Sequence, residues 1–257
     1  MPGSREPLPT RVEETPTLPA AFDAALDAGL TALHLALAPE ARAAIDGHAR
    51  LLVAWTAAIN LTAIREPAEI ALAHIVDSLT GLGVMAELAA DRYIDLGSGG
   101  GYPGLPIAAA LPAARALLLE PVGKKAAFLS TVAAATGLTE TVEAAPVRAE
   151  ALAADDRHRG RWPAVTARAV AGLAELLELA FPLLQPGGHL VAWKRGDLGP
   201  ELAAADRALV ALGGGSLEVR PVEVPGLHQH CLVVATARGG VPSTYPRDPG
   251  IRKRRPW

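Results

Sequence analysis

The chain carries a single cysteine, Cys231, in 257 residues. No internal disulfide can form, and cysteine-based zinc sites are excluded. A reducing, cytoplasmic setting fits that usage. Aromatic residues make up only 4%, so the core must be built from aliphatic side chains. No uninterrupted apolar run reaches the roughly 18 residues that a membrane span needs. The N-terminus lacks the basic, apolar and small-residue succession of a secretory signal. Positive charge is not in excess either. The formal net charge is −3, and no global field advertises nucleic acid. A Gly-x-Ser-x-Gly nucleophile elbow is missing. The seven histidines are scattered, and no metal site is expected from them.

What the chain has is aliphatic mass and glycine. Half of its residues are hydrophobic, with alanine and leucine prominent, which favours helix and a sizeable core. The length suits one large α/β domain with an appendage. The central stretch is Tyr93-Ile94-Asp95-Leu96-Gly97-Ser98-Gly99-Gly100-Gly101-Tyr102-Pro103-Gly104. Tyr93, Ile94 and Leu96 read as the end of a buried strand. The glycines serve positive φ or close approach of a ligand to the backbone. Pro103 and Pro106 suit the first turn of the helix that follows. Strand, glycine turn and helix form the ligand-binding corner of an open α/β sheet.

The corner admits more than one ligand. Gly99-x-Gly101-x-x-Gly104 matches the dinucleotide fingerprint. Read from Asp95, the pattern Asp-x-Gly-x-Gly-x-Gly resembles motif I of the S-adenosylmethionine methyltransferases. A carboxylate at the strand end suits the cationic amino-acid part of that cofactor and repels a pyrophosphate. A turn that merely connects two elements remains the plain alternative. Glu120 closes the next strand at the distance where an acid binds adenosine ribose hydroxyls.

Along the chain, residues 1–19 hold five prolines and read as a disordered leader. Residues 20–88 are a helical appendage, with apolar positions such as Phe22, Leu26, Leu30 and Leu33 at helical spacing. Residues 89–238 alternate strand and helix. Strands are expected near 93–96, 116–119, 141–144, 164–169 and 189–193. Strands over 217–224 and 231–236 close the series as an antiparallel pair. Pro186-Gly187-Gly188 is expected to end the helix that starts at Leu173. Residues 239–257 form a basic tail.

Individual residues carry both functional and plain readings. Arg168, at the end of the fourth strand, faces the cleft or makes a structural ion pair. Ala149 and Glu150 follow the third strand, where a ligand's base or an ordinary helix start would be placed. Lys194 with Arg195, and the tail cations Arg247, Arg252, Lys253, Arg254 and Arg255, could meet RNA phosphate or stay solvated. His74 and Asp77 share a helix face and, with Asn60, form a polar cluster over the cleft or brace the helices. Gly123-Lys124-Lys125 is no phosphate loop, because Leu118 stands where the companion glycine is required.

Several separated motifs together resemble one family. These are Asn60-Leu61-Thr62-Ala63-Ile64, His74-x-x-Asp77-Ser78-Leu79, the glycine stretch through Pro106, Gly123-Lys124-Lys125, Ala167-Arg168-Ala169 and Tyr245-Pro246-Arg247-x-x-Gly250. The resemblance is to the small-subunit ribosomal RNA guanine-N7 methyltransferases, also called glucose-inhibited division protein B. It implies a seven-stranded Rossmann-like S-adenosylmethionine methyltransferase sheet, mostly parallel with the last strand antiparallel. It implies S-adenosylmethionine as cofactor and 16S rRNA or the small ribosomal subunit as partner, for a cytoplasmic monomer with no membrane partner. Gly97, Tyr102, Ala149, Glu150 and Arg168 would contact cofactor, beside Asp95, Gly99, Gly101 and Glu120. Arg168 would also position the reactants. Two departures stand out: Trp162-Pro163-Ala164 replaces the usual acidic residue before the fourth strand, and Glu120 replaces the usual Asp. Methylation of protein or a small molecule, or RNA binding without catalysis, are the competing functions.

Overall fold

A computed structural model describes residues 7–257. A 3-10 turn (Val12–Glu14) precedes α1 (Ala20–Ala32) and α2 (Pro39–Ile59). A continuous helical stretch follows. It consists of α3 (Pro67–Glu69), a π-helical run (Ile70–Val76) and α4 (Asp77–Leu79), with α5 (Leu82–Glu87) next. Then come β1 (Arg92–Leu96), α6 (Gly104–Ala110), β2 (Arg115–Leu119), α7 (Gly123–Ala135), β3 (Val142–Ala145) and α8 (Ala149–Ala153). The chain continues with β4 (Trp162–Arg168), α9 (Leu173–Ala180), β5 (Leu184–Arg195), α10 (Gly199–Ala211), β6 (Gly215–Pro221), β7 (His230–Ala237) and α11 (Pro249–Arg254).

The seven strands form one sheet in the order β3-β2-β1-β4-β5-β7-β6. β1 to β5 pair in parallel, and β7 inserts antiparallel between β5 and β6. The strand order reverses between β1 and β4, which opens a crevice at their C-terminal ends. Both faces are covered, so the central strands read as apolar runs. One core lies between the sheet and the N-terminal helices, around Phe22, Ile45, Leu52, Ile75 and Phe128. The other lies under α9 and α10, around Ile94, Val165, Leu177, Phe181 and Val233.

Two expectations are corrected. Residues 7–19 are not a loose leader; residues 1–6 lie outside the described residues. Trp55 Nε1 donates to Pro9 O at 2.8 Å, and Arg50 donates to Val12 O and Pro16 O at 3.0 Å each. Proline stiffness lowers the entropy cost of docking this segment on α2. The helix from Leu173 ends at Ala180, and Pro186-Gly187-Gly188 lies inside β5, opposite a register shift between Trp162 and Ala164. Gly187 supplies the positive φ (+76°) that this irregularity needs. Pro67–Glu87 has the length and mean apolarity of a membrane-crossing helix, although Glu69 and Asp77 interrupt the run. Here Ile70, Ala71, Ile75, Val76 and Leu79 spend that apolarity inside the core.

Candidate active site

The site is built from the turn after β1. Gly97, Gly99 and Gly101 take φ of +66°, +54° and +93°. A Cβ on Gly97 would stand 2.8 Å from Val170 Cγ2, and one on Gly101 would stand 2.4 Å from Leu105 Cδ1. The turn therefore needs glycine for conformation and for space. Ser98 N–H donates to Leu119 O at 3.0 Å, tying the turn to β2. Glu120 accepts from Gly99 N at 3.0 Å and from Val122 N at 2.9 Å. The carboxylate expected at a ribose thus braces the turn here.

Asp95 lies beneath the turn. It is fully buried; its Oδ1 accepts from Thr166 Oγ1 at 2.7 Å, while Oδ2 has no partner among the described residues. Burial pushes its carboxyl up to about 6, against hydrogen bonds that hold it down. A cationic ligand group therefore feels Asp95 through the turn, and not by contact across the cavity wall.

Beyond the ends of β1 to β4 lies a cavity of about 230 Å³, lined among others by Gly97, Leu119, Ala149, Glu150, Val170 and Arg252. Gly97, Ala149 and Glu150, far apart in sequence, meet on it. Arg252 reaches it from the tail, pairing with Glu150 and, at 3.0 Å, with Glu175. Arg247 binds Glu178 in a fork, with Nε and Nη2 at 2.9 and 2.6 Å, and Trp257 Nε1 donates to the same carboxylate at 2.7 Å. Glu178 is fully buried. Burial raises its pKa, but these donors win and hold it below the usual range. Lys194 pairs with Glu201 at 2.6 Å. Lys194, Arg247 and Arg252 turn inward onto acids of α10, α9 and α8. Lys253, Arg254 and Arg255 stay exposed.

Arg168, the last residue of β4, stands two positions before the cavity-lining Val170. Its Nη1 donates to Asp77 Oδ2 at 2.8 Å and to Ala73 O at 2.9 Å, and its Nη2 donates to His74 Nδ1 at 3.2 Å. Arginine has no acceptor, so His74 Nδ1 must be the bare nitrogen and Nε2–H donates to Thr62 Oγ1 at 2.7 Å. Burial, then Arg168, lowers His74 to about 3. Asp77 also accepts from His230 Nδ1 at 2.9 Å. The guanidinium carbon of Arg168 stands 5.3 Å from the Tyr102 ring centre. Tyr102 itself is stacked between His48 at 4.5 Å and His74 at 4.6 Å, and its hydroxyl is buried with no partner among the described residues. His48 donates from Nε2 to Gly100 O at 2.7 Å, and burial lowers it to about 4.

Of the foreseen cluster, His74 and Asp77 join Arg168, while Asn60 caps α2 in a left-handed conformation (φ +50°). Sequence reasoning missed His48, Thr166 and Glu178. His48 and Glu178 were visible as polar residues on the apolar faces of α2 and α9; Thr166 left no signal. Cys231 is a free buried thiol, and among the described residues no group of three or more His, Cys, Asp or Glu could hold a metal ion.

The crevice at the β1/β4 reversal, the antiparallel seventh strand and a glycine turn with no room for a Cβ at Gly97 or Gly101 define an S-adenosylmethionine-dependent methyltransferase. The residues present fit that cofactor: Gly97 leaves bare backbone on the cavity, and the Glu150 carboxylate lines the same space. Solved structures agree on the fold. An O-methyltransferase from Bacillus cereus in complex with SAH matches with TM-score 0.54 and 16% identity, over 75% of this chain and 91% of that one. A predicted O-methyltransferase from Agrobacterium tumefaciens matches with TM-score 0.51 and 24% identity, over 64% and 82%. The sequence pattern described as rRNA small subunit methyltransferase G matches residues 42–230. The Ribosomal RNA small subunit methyltransferase G of Roseiflexus castenholzii is 41% identical over 205 residues, covering 80% of this chain and 87% of that protein. That of Rubrobacter xylanophilus is 41% identical over 216 residues, covering 82% of each. This chain belongs to the rRNA small subunit methyltransferase G family.

Proposed function

We propose that this protein transfers a methyl group from S-adenosylmethionine to N7 of a guanine in the decoding-region loop of 16S rRNA, as a cytoplasmic monomer with no membrane partner. Family membership supports the substrate. The observation that carries the chemistry is the cavity between Gly97 and Val170, at the ends of β1 and β4, with Arg168 fixed beside it. The cofactor, when bound, supplies a methyl group on a cationic sulfur. Guanine N7 already has an in-plane lone pair, so it needs no proton removed before it attacks. The protein's task is then alignment, a positional effect worth several kcal/mol. The site is consistent with that division of labour. His48 and His74 are buried and held neutral at pH 7, and Asp95 is sealed under the turn. The transfer asks for no base, and the carboxylates that line the cavity, Glu150 and Glu175, are paired with Arg252.

Arg168 acts as a positioning group. Four contacts, to Asp77, Ala73, His74 and Tyr102, hold its guanidinium still. The buried, free state of Cys231 supports a reducing compartment. The test incubates the protein and labelled S-adenosylmethionine with naked 16S rRNA, assembled 30S subunits and bulk protein. Label is expected in RNA at guanine N7; label only in protein would sink the reading. Arg168→Ala is expected to lose at least tenfold in transfer rate, a loss of about 1.4 kcal/mol or more. Wild-type rate and cofactor affinity in that variant would remove Arg168 from its role.

A further inference from the structure

The chain is acidic overall, and its most suggestive basic residues face inward. Lys194, Arg247 and Arg252 are each held by a glutamate, with side-chain exposures of 11%, 20% and 9%. A cation already neutralised by a carboxylate releases no counterion when it meets a phosphate, so it contributes little to nucleic-acid affinity. The cations that could contribute are those without an acid.

At the C-terminal edge of the sheet such cations follow β2 and end β5, while Arg148 lines the cavity itself. Lys124 and Lys125 lie in the first turn of α7, directly after β2. Arg195 is the last residue of β5. Lys124 and Arg195 are exposed, Lys125 is half-buried, and none has an ion pair among the described residues. The intervening strands are β1 and β4, whose ends form the crevice. The backbones of the two groups are therefore three strand spacings apart, about 14 Å. That span exceeds the Debye length of about 8 Å at physiological salt, so the two sides act as separate grips. Arg65 is also exposed and unpaired. It follows the segment whose Leu61 O packs over Gly100.

We propose that Lys124 and Lys125 on one side and Arg195 on the other bind the RNA phosphates flanking the target nucleotide, straddling the cavity between β2 and β5. The inference rests on the rRNA reading above. It adds an approach direction: the RNA strand crosses the strand ends, and the base between the two grips enters the crevice. An unstacked nucleotide in a loop can turn its base into the crevice while its flanking phosphates stay outside, whereas a paired base must first be flipped out of the stack.

The test measures binding of a short fluorescein-labelled single-stranded RNA across a salt series, together with transfer to 16S rRNA. Lys124→Gln/Lys125→Gln is expected to reduce the slope of log K against log salt by about 1.4, and Arg195→Gln by about 0.7. The two effects should add. In each case KM for RNA should rise several-fold, with kcat and S-adenosylmethionine affinity preserved. Lys194→Gln should leave the slope at its wild-type value. Unchanged slopes in the first two variants, or a slope lost in Lys194→Gln, overturns the assignment. Wild-type transfer to RNA alongside unchanged slopes defeats this inference alone, whereas wild-type protein that labels no RNA defeats the function it rests on.

Discussion

Asp95→Asn is a nearly isosteric change at a carboxylate with no access to solvent. The Asp95 carboxyl is pushed up to about 6 from an ordinary 3.8, chiefly by burial. That gap corresponds to about 3 kcal/mol. Between the two values the folded chain keeps a proton that the unfolded chain has lost. Stability contributed by Asp95 therefore falls as pH rises from about 4 to about 6, and at pH 7 the buried charge costs about 3 kcal/mol. His48 and His74, lowered to about 4 and 3 by burial, act with the opposite sign: the unfolded chain takes up protons that the folded chain refuses. Both histidines are common to wild type and variant, so they cancel in the difference. The asparagine Oδ1 keeps the hydrogen bond from Thr166, and its amide nitrogen replaces an oxygen that has no partner. Whatever that amide costs is independent of pH. The stability of Asp95→Asn relative to wild type should rise by about 3 kcal/mol across pH 4 to 7, equivalent to roughly 6–12 °C in relative Tm for a chain of this size. Calorimetry of both proteins without cofactor, at several pH values, reads it directly. Parallel stability curves, or a difference of opposite sign, would refute the reasoning. Cofactor affinity should meanwhile fall at pH 7, because the variant removes the negative charge beneath the turn.

Gly97→Ala combines a left-handed φ of +66° with a 2.8 Å approach to Val170. It should cost about 1–2 kcal/mol in unfolding free energy, and calorimetric titration should show at least tenfold weaker S-adenosylmethionine binding. Gly123→Ala, whose added Cβ meets nothing within 4 Å, should leave both measurements near wild type. Glu178→Gln weakens the fully buried carboxylate that holds Arg247 and Trp257. Loss of about 3 kcal/mol is expected from breaking a buried pair, with faster proteolysis after Arg238 and a red shift in Trp257 emission. An unchanged cleavage pattern and spectrum would show that the tail is held by other means.

The sheet was legible because its physics is local. β1, β2 and β4 are short apolar runs closed by glycine, acid and arginine, and the strand order then follows from right-handed crossovers. The glycine turn was legible because positive φ leaves a trace in composition. The inward turn of the tail was not. Arg247 and Arg252 read as solvated charges, since their partners Glu178 and Glu175 lie about 70 residues away on a helix whose packing the sequence does not announce. The same blindness applied to Asp95, whose position at a strand end suggested contact with ligand. Its depth depends on Thr166 from a neighbouring strand and on the close packing at Gly104, neither of which is a sequence signal. The proline-rich leader misled for a related reason: composition reports the entropy of the free chain, whereas docking depends on Trp55 and Arg50 in α2.

Tyr102 stands between two imidazoles supplied by α2 and the π-helical run, and that arrangement bears on how such a chain can be inherited. The boundary near residue 88 looks like a seam between two modules. A crossover placed there would carry the glycine turn away with Tyr102 and leave His48 and His74 behind. The recombinant would inherit every residue of the cofactor motif and none of the rings that hold its shape. Substitutions at positions 48, 74 and 102 are thus expected to be coupled, and a cut at that seam separates Tyr102 from both of its stacking partners.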